Sequence, residues 1–376
     1  MRLVVDENLA AAEAALAPLG EVVRRPGRAI GPADVAAADA LFVRSVTPVG
    51  PELLAGSPVR FVGSATIGID HVDTDWLAAQ GIGFASAPGC NAAAVADWVV
   101  AVLAALAAEG RHCFGHGSAG VIGVGNVGLR VAARLRALGY RVRPCDPPRA
   151  AAEGSAGFVD PATALASDVV TLHVPLTDAG AHPTRGLVDA TALAAMPAGA
   201  VLLNSARGGV VDEDALASRL DDGPDLHAVL DTWAGEPAID AGLLARTALG
   251  TPHIAGYSLE GRLRGTAMVA AAAAAFFGVT SDWDWRAELP PAPALAPASD
   301  PLATILGAYD PRRDDAALRG LLRCPGPERP AAFDALRRGY PMRREFGYHP
   351  CVDPPAALRA AGFGAPEGLP GDALAD

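Results

Sequence analysis

Short apolar runs, many of them β-branched, recur along the chain and are separated by Ala/Leu-rich stretches of helical character. Leu3–Val5, Leu41–Val43, Arg60–Val62 and Ile82–Phe84 read as strands, and Asn91–Ala108 reads as a long helix that turns from amphipathic to apolar. A second series starts at Ala119 and runs through Val121–Gly123, Arg141–Pro144, Val169–His173, Val201–Asn204 and Ala228–Leu230. Strands alternating with helical segments predict a parallel α/β architecture. The second series has the rhythm of a doubly wound nucleotide-binding domain. Ala-rich Thr266–Phe277 is predicted to be a helix returning to the first domain, which makes that domain discontinuous and the nucleotide domain an insertion. Leu289–Pro301 is a Pro/Ala linker, and Leu302–Phe363 is a smaller α+β unit with helices and two or three strands. The last dozen residues are Gly/Pro-rich and expected to fray. The predicted domains are 1–95 with 259–287, then 96–258, then 288–376.

Composition fits this division. A chain of 376 residues, 51% hydrophobic, is too long for one ordinary core. A formal net charge of −12 argues against nucleic acid or an anionic membrane as a main partner. It leaves room for a small anionic substrate held by a local group of arginines. The five cysteines include no CxxC pair, so neither a disulfide framework nor a metal site is expected, and a reducing cytoplasm fits best. The opening MRLVVDEN reads as a strand and not as a signal peptide. The apolar stretches Trp98–Ala108 and Ala267–Val279 are too short to cross a bilayer easily.

The strongest local motif is Gly123-Val124-Gly125-Asn126-Val127-Gly128, between a strand-like segment and a helical one. Gly123 permits the tight turn, Gly125 lets backbone approach a pyrophosphate, and Gly128 lets the helix pack close to the strand. The next strand ends at Asp146, an acid able to accept bonds from both ribose hydroxyls of NAD and to repel the extra phosphate of NADP. Arg143 and Arg149 flank that acid.

Three further segments follow predicted strands: NSARGGVVD around Arg207, LDTWAGEP around Asp231 and Glu236, and TPHIAGY around His253, Gly256 and Tyr257. Ligands of open α/β sheets gather at the carboxyl ends of strands. Oxidising a 2-hydroxy acid needs a cation for the carboxylate, a base for the hydroxyl proton and a carboxylate to orient that base. Arg207, His253 and Glu236 supply these. Singly, each has an ordinary structural reading; their order at successive strand ends gives the combination its weight. Asp231 is assigned to the nicotinamide end of the cofactor, whereas His71, His173 and His227 are given structural roles.

These segments resemble the D-2-hydroxy-acid dehydrogenase family over roughly residues 36–280. The resemblance implies two Rossmann-like doubly wound domains, a discontinuous substrate domain and an inserted NAD domain, with Arg207, Glu236 and His253 catalytic. Further signatures point to a branch that oxidises a four-carbon 2-hydroxy acid carrying a 4-phosphate, in vitamin B6 synthesis. They are VDEN, LFVRSVTPV, FVGSATIGIDHVD, APGCNAAAVADWV, CDPPRA, YDPRRDDAALR and FDALRRGYPMRRE. This implies substrate contacts at Ser45, Thr66 and Tyr257. It places Asp146, Val174, Asp231 and Gly256 on the cofactor, beside Gly123, Gly125, Asn126, Val127 and Gly128. It makes the C-terminal unit a homodimerisation domain. Asp97 stands where the family commonly has Glu, Ile67 where a small residue is usual, and Val174 where Thr is frequent, which implies a backbone contact there. Arg44, Arg343 and Arg344 are candidates for the substrate phosphate, the last two reaching from a partner subunit. Two other readings stay open: a dehydrogenase for 3-phosphoglycerate or glyoxylate, and a non-catalytic NAD-sensing protein.

Overall fold

The computed structural model describes residues 1–223, 225–295, 300–351 and 353–364. The first sheet joins β1 (Arg2–Asp6), β2 (Glu21–Arg25), β3 (Ala40–Val43), β4 (Phe61–Ser64) and β5 (Gly83–Ser86), all parallel, in the order β2-β1-β3-β4-β5. Its apolar runs are continuous because a parallel sheet is covered on both faces. One face packs on Leu16, Val269 and Ala273, the other on Val35, Leu54 and Leu77. The helix Leu259–Phe277 packs on β4 and β5, so the chain does return to its first sheet.

The second sheet joins β6 (Ser118–Ile122), β7 (Arg141–Cys145), β8 (Val169–Leu172), β9 (Ala200–Asn204), β10 (Leu226–Leu230) and β11 (Leu249–Gly250), again all parallel. Its order is β11-β10-β9-β8-β6-β7, and the strand order reverses between β6 and β8. A reversal of this kind leaves a crevice at the carboxyl ends of the two strands. The helix Ala92–Ala108 is apolar around its whole circumference and buried from Ala92 to Leu106. Its one acid, Asp97, pairs with Arg134 and accepts the Phe346 N–H at 3.0 Å. Burial pushes the Asp97 carboxyl up to about 6 despite the arginine.

Aspartate followed by proline starts helices repeatedly. Asp146, Asp160, Asp300 and Asp310 each accept a backbone N–H of the first turn, and proline fills the next position, where no N–H is needed.

The chain folds as two compact units, Met1–Asn91 with Tyr257–Pro291, and Ala92–Gly256 with Ala292–Asp376. In the second, Leu318, Leu321 and Phe333 share a hydrophobic cluster with Ala206, Val210 and Trp233. The C-terminal residues therefore pack on the nucleotide-binding sheet.

Several expectations need correction. β2 was not predicted, because EVVRR interleaves charge with only two apolar residues, and β11 is two residues long. The two or three C-terminal strands are absent among the described residues. Apolar residues there lie in the helices Pro301–Ala308, Pro311–Arg319, Arg329–Arg338 and Ala356–Ala361. The returning helix begins at Leu259, ahead of Thr266, because the Ser258 side chain caps it. Part of the predicted linker, 296–299, and the last dozen residues lie outside the described residues. Among the described residues, no helix is long and apolar enough to cross a membrane.

Candidate active site

The glycine-rich loop leaves β6 at Gly123, whose φ is +87°, and an added Cβ there would lie 2.7 Å from the His173 carbonyl oxygen. Gly128 is constrained differently: its Cβ would sit 1.9 Å from the Gly123 oxygen, so only glycine lets the helix Asn126–Ala137 pack this close. Gly125 has no atom within 4 Å of a Cβ position. It occupies the N-cap of that helix without a side-chain cap, and Gly125 and Asn126 are exposed. The N–H groups of Asn126 and Val127 thus open the positive end of a helix onto free space, which fits a pyrophosphate. Val174 follows β8 with its side chain against Gly123.

Asp146 is fixed beside this loop. Its Oδ2 accepts from Val124 N at 2.8 Å and its Oδ1 from Arg149 N at 3.1 Å. The carboxylate keeps lone pairs for ribose hydroxyls. Both flanking arginines are engaged: Arg149 pairs with Glu153 at 2.6 Å, and Arg143 donates to the Thr163 and Ala166 carbonyls at 3.2 and 3.0 Å.

The catalytic candidates all belong to the second unit. Arg207 stands in the turn after β9, which Asn204 shapes: Oδ1 accepts from Ala206 N at 3.1 Å and Nδ2 donates to the Arg207 carbonyl at 3.0 Å. Gly208 passes so near the Trp233 carbonyl that a Cβ would lie 2.0 Å from it, bringing the Arg207 turn against the loop after β10. In that loop Trp233 N donates to Glu236 Oε1 at 2.8 Å, and the indole Nε1 donates to the Thr251 carbonyl at 3.0 Å. His253 follows β11 in the left-handed region, φ +55°, a conformation that costs roughly 1 kcal/mol or more for a residue with a Cβ.

Asp231 holds it there. The His253 N–H donates to the Asp231 carbonyl at 2.8 Å, while the Asp231 carboxylate accepts from Thr251 Oγ1 at 2.6 Å, Ile254 N at 2.8 Å and Ala255 N at 3.0 Å. Asp231 is buried, and burial raises its pKa against these bonds. What the structure displays for Asp231 is therefore support of the His253 turn.

His253 Nδ1 and Glu236 Oε2 are 2.8 Å apart. Burial works to raise Glu236, but the His253 hydrogen bond and charge, the Trp233 N–H and the charge of Arg337 outweigh it and hold the carboxyl below its ordinary value. With Nδ1 bonded to the carboxylate, Nε2 is the ring nitrogen left to take a proton. Glu213 completes the surroundings: it accepts from Ala234 N at 2.6 Å, and burial with the nearby charges of Glu236, Asp240 and Asp214 pushes it up to about 7.

Sequence reasoning missed Arg337, whose Nη1 is 4.0 Å from Glu236 Oε2. Its motif, FDALRRGYPMRRE, falls in the C-terminal unit, far in sequence from the strand ends that carry the other candidates. It also misplaced Arg343. That guanidinium is buried, donates to the carbonyls of Ile254, Ala255 and Ala94, and lies 4.3 Å from the Tyr309 ring centroid. It is committed to the chain just after His253 and is not a phosphate ligand. Arg344 is also buried, beside the Tyr348 ring.

Ser45, Thr66 and Tyr257 belong to the first unit. Ser45 is exposed just past β3. Thr66, just past β4, lies 2.9 Å from Ser64 Oγ, which meets His71 Nε2 at 3.0 Å. Tyr257 has the guanidinium groups of both Arg44 and Arg262 close to its ring. His173 bonds Thr171 Oγ1 at 2.9 Å, and burial lowers it to about 3, leaving the ring neutral at ordinary pH.

Residues 97–255 match the model of the D-isomer specific 2-hydroxyacid dehydrogenase NAD-binding domain, and residues 299–349 match a domain of unknown function. Erythronate-4-phosphate dehydrogenase of Pseudomonas aeruginosa is 49% identical over 354 residues, spanning 92% of this chain and 93% of that one. The chain belongs to the erythronate-4-phosphate dehydrogenase family. A second member, from Salinibacter ruber, is 48% identical over 365 residues, 93% of each chain. The fold is shared with D-lactate dehydrogenase of Aquifex aeolicus, solved with NAD and lactic acid (TM-score 0.61, 23% identity, 73% of this chain and 95% of that). It is shared also with 3-phosphoglycerate dehydrogenase of Entamoeba histolytica, solved with NAD (TM-score 0.62, 22% identity, 74% and 95%). The α/β class with two parallel Rossmann-like sheets is as expected from the sequence, and so is NAD as the cofactor.

Proposed function

We propose that this protein oxidises 4-phospho-D-erythronate to (R)-3-hydroxy-2-oxo-4-phosphooxybutanoate with NAD, as a step of pyridoxine synthesis. Bound NAD supplies the hydride acceptor. Arg207 holds the substrate carboxylate with a two-pronged hydrogen bond and polarises the C2–O bond. His253 Nε2 takes the hydroxyl proton as the C2–H bond gives up its hydride and the C–O bond becomes a carbonyl. Glu236 orients the imidazole and stabilises its protonated form. Gly123, Gly125, Asn126, Val127, Gly128, Asp146, Val174, Asp231 and Gly256 serve the cofactor; Ser45, Thr66 and Tyr257 serve the substrate. The protein acts in the cytoplasm as a homodimer joined through its C-terminal residues, a state that sedimentation would test.

One observation carries this reading: the 2.8 Å His253–Glu236 bond at the carboxyl ends of β10 and β11, in a chain 49% identical to a named erythronate-4-phosphate dehydrogenase. A substrate panel tests it. NADH formation should be far faster with 4-phospho-D-erythronate than with unphosphorylated erythronate or 3-phosphoglycerate. Preference for an unphosphorylated acid would defeat the substrate assignment.

A further inference from the structure

Two guanidinium groups lie near one ring in the first unit. Arg44 Cζ is 6.0 Å and Arg262 Cζ 5.3 Å from the centroid of Tyr257. Local structure brings them together. Arg44 is the first residue past β3, and Arg262 lies in the first turn of the helix Leu259–Phe277, whose N-terminus is fixed by Ser258 Oγ accepting from Gly261 N at 2.9 Å. A strand end and the positive end of a helix therefore converge on the ring.

The arrangement leaves positive charge unanswered. Arg262 Nε is buried without a hydrogen-bond partner, and its guanidinium makes no ion pair among the described residues. Arg44 makes one long bond, 3.5 Å, to the Asn8 carbonyl. Burial first, and then the charge of Arg44, depress Arg262 to about 10, with Tyr257 and Asp6 acting in the opposite direction. Asp6 is itself buried and occupied in part, its Oδ1 accepting from Asn8 N at 2.8 Å and Asn8 Nδ2 at 3.2 Å. One carboxylate does not neutralise two guanidinium groups. Burial and the like charge of Arg44 both disfavour the charged Arg262 guanidinium, and a multivalent anion bound by the two groups would relieve this.

We propose that Arg44 and Arg262, both beside Tyr257, form the subsite for the substrate's phosphate monoester. The proposal rests on the function given above, which requires a dianion at the end of the substrate remote from the reacting carbon. Two planar donor groups match the charge and the several oxygens of a phosphate. The Ser45 hydroxyl, adjacent in sequence to Arg44, adds a donor.

Arg44→Met and Arg262→Met, made singly in the full chain, test the subsite. Each should raise KM for 4-phospho-D-erythronate by about tenfold to a hundredfold, the value of one charge-assisted contact, while leaving NAD affinity unchanged. Inorganic phosphate provides a second readout that needs no turnover. It should raise the Tm of the wild type and not that of Arg44→Met, whose phosphate-free Tm should be no lower than wild type because a repulsion has been removed. Unchanged KM and undiminished phosphate stabilisation in Arg44→Met and in folded Arg262→Met, or in Arg262→Gln if the methionine variant does not fold, would overturn the proposal. If the wild type fails to oxidise 4-phospho-D-erythronate yet phosphate still stabilises it through Arg44 and Arg262, the subsite stands and the substrate assignment falls.

Discussion

Arg337 and His253 address the same oxygen of Glu236: His253 Nδ1 at 2.8 Å and Arg337 Nη1 at 4.0 Å. The arginine comes from the C-terminal helix Arg329–Arg338, which is anchored through Phe333 in the hydrophobic cluster containing Trp233. Glu236 is thus shared between the imidazole and a cation whose charge opposes protonation of that imidazole. Glu213 and Asp231 are the other carboxylates whose charge bears on the pair.

The first prediction follows from that sharing. Arg337→Met removes a positive charge, so both Glu236 and His253 should bind protons more tightly. The acidic limb of the kcat/KM profile should move upward by about half a pH unit to one unit. Arg337→Lys should largely restore it. A uniform loss at every pH would mean that Arg337 only supports packing. Stability carries its own sign. The Glu236 carboxyl is depressed in the fold, so its pairing stabilises the protein above the ordinary carboxylate range, and that contribution is lost as pH falls through the folded value.

Two glycines of the nucleotide loop should separate folding from binding. Gly128→Ala drives a Cβ to 1.9 Å from backbone, so it should lower Tm strongly or prevent folding. Gly125→Ala meets open space and should fold normally, yet weaken NAD binding by filling the approach to the helix N-terminus. Thermal unfolding and NAD titration measured together check both; equal behaviour of the two variants would contradict this division.

Asp146→Asn should weaken NAD and narrow the margin against NADP, because the carboxylate's charge is removed while its bond from Val124 N is retained. Arg149, already tied to Glu153, should supply little affinity for a 2′-phosphate. Dissociation constants for both cofactors test this, and an unaltered ratio would remove Asp146 from discrimination.

Arg343→Met should be costly in stability, roughly 3–5 kcal/mol, because several carbonyls lose a buried cationic donor. Its effect on the substrate phosphate should be secondary. A variant with wild-type Tm and a raised KM for phosphate-bearing substrate alone would return Arg343 to the role first suggested by the sequence.

Legibility followed locality. GVGNVG and the segments around Arg207, Glu236 and His253 could be read directly, because short-range turn chemistry fixes each of them at a strand end. Arg337 and Arg262 could not. Their significance depends on contacts with Glu236 and Tyr257, and nothing in RRGYP or EGRLRG distinguishes a charge aimed at a half-buried partner from a solvated one. Arg343 was misjudged for the same reason. Strand β2 escaped notice because its charged residues obscure the apolar period, and the C-terminal helices were blurred by Ala- and Pro-rich sequence.

The most direct test of the account compares NADH formation from 4-phospho-D-erythronate by the wild type and by His253→Ala, with NAD binding measured on both. The wild type should turn over, and His253→Ala should bind NAD normally while losing on the order of a hundredfold or more in kcat. Turnover of this substrate at the same rate by both proteins would contradict His253 as the base, and no turnover by the NAD-loaded wild type would contradict the assigned reaction.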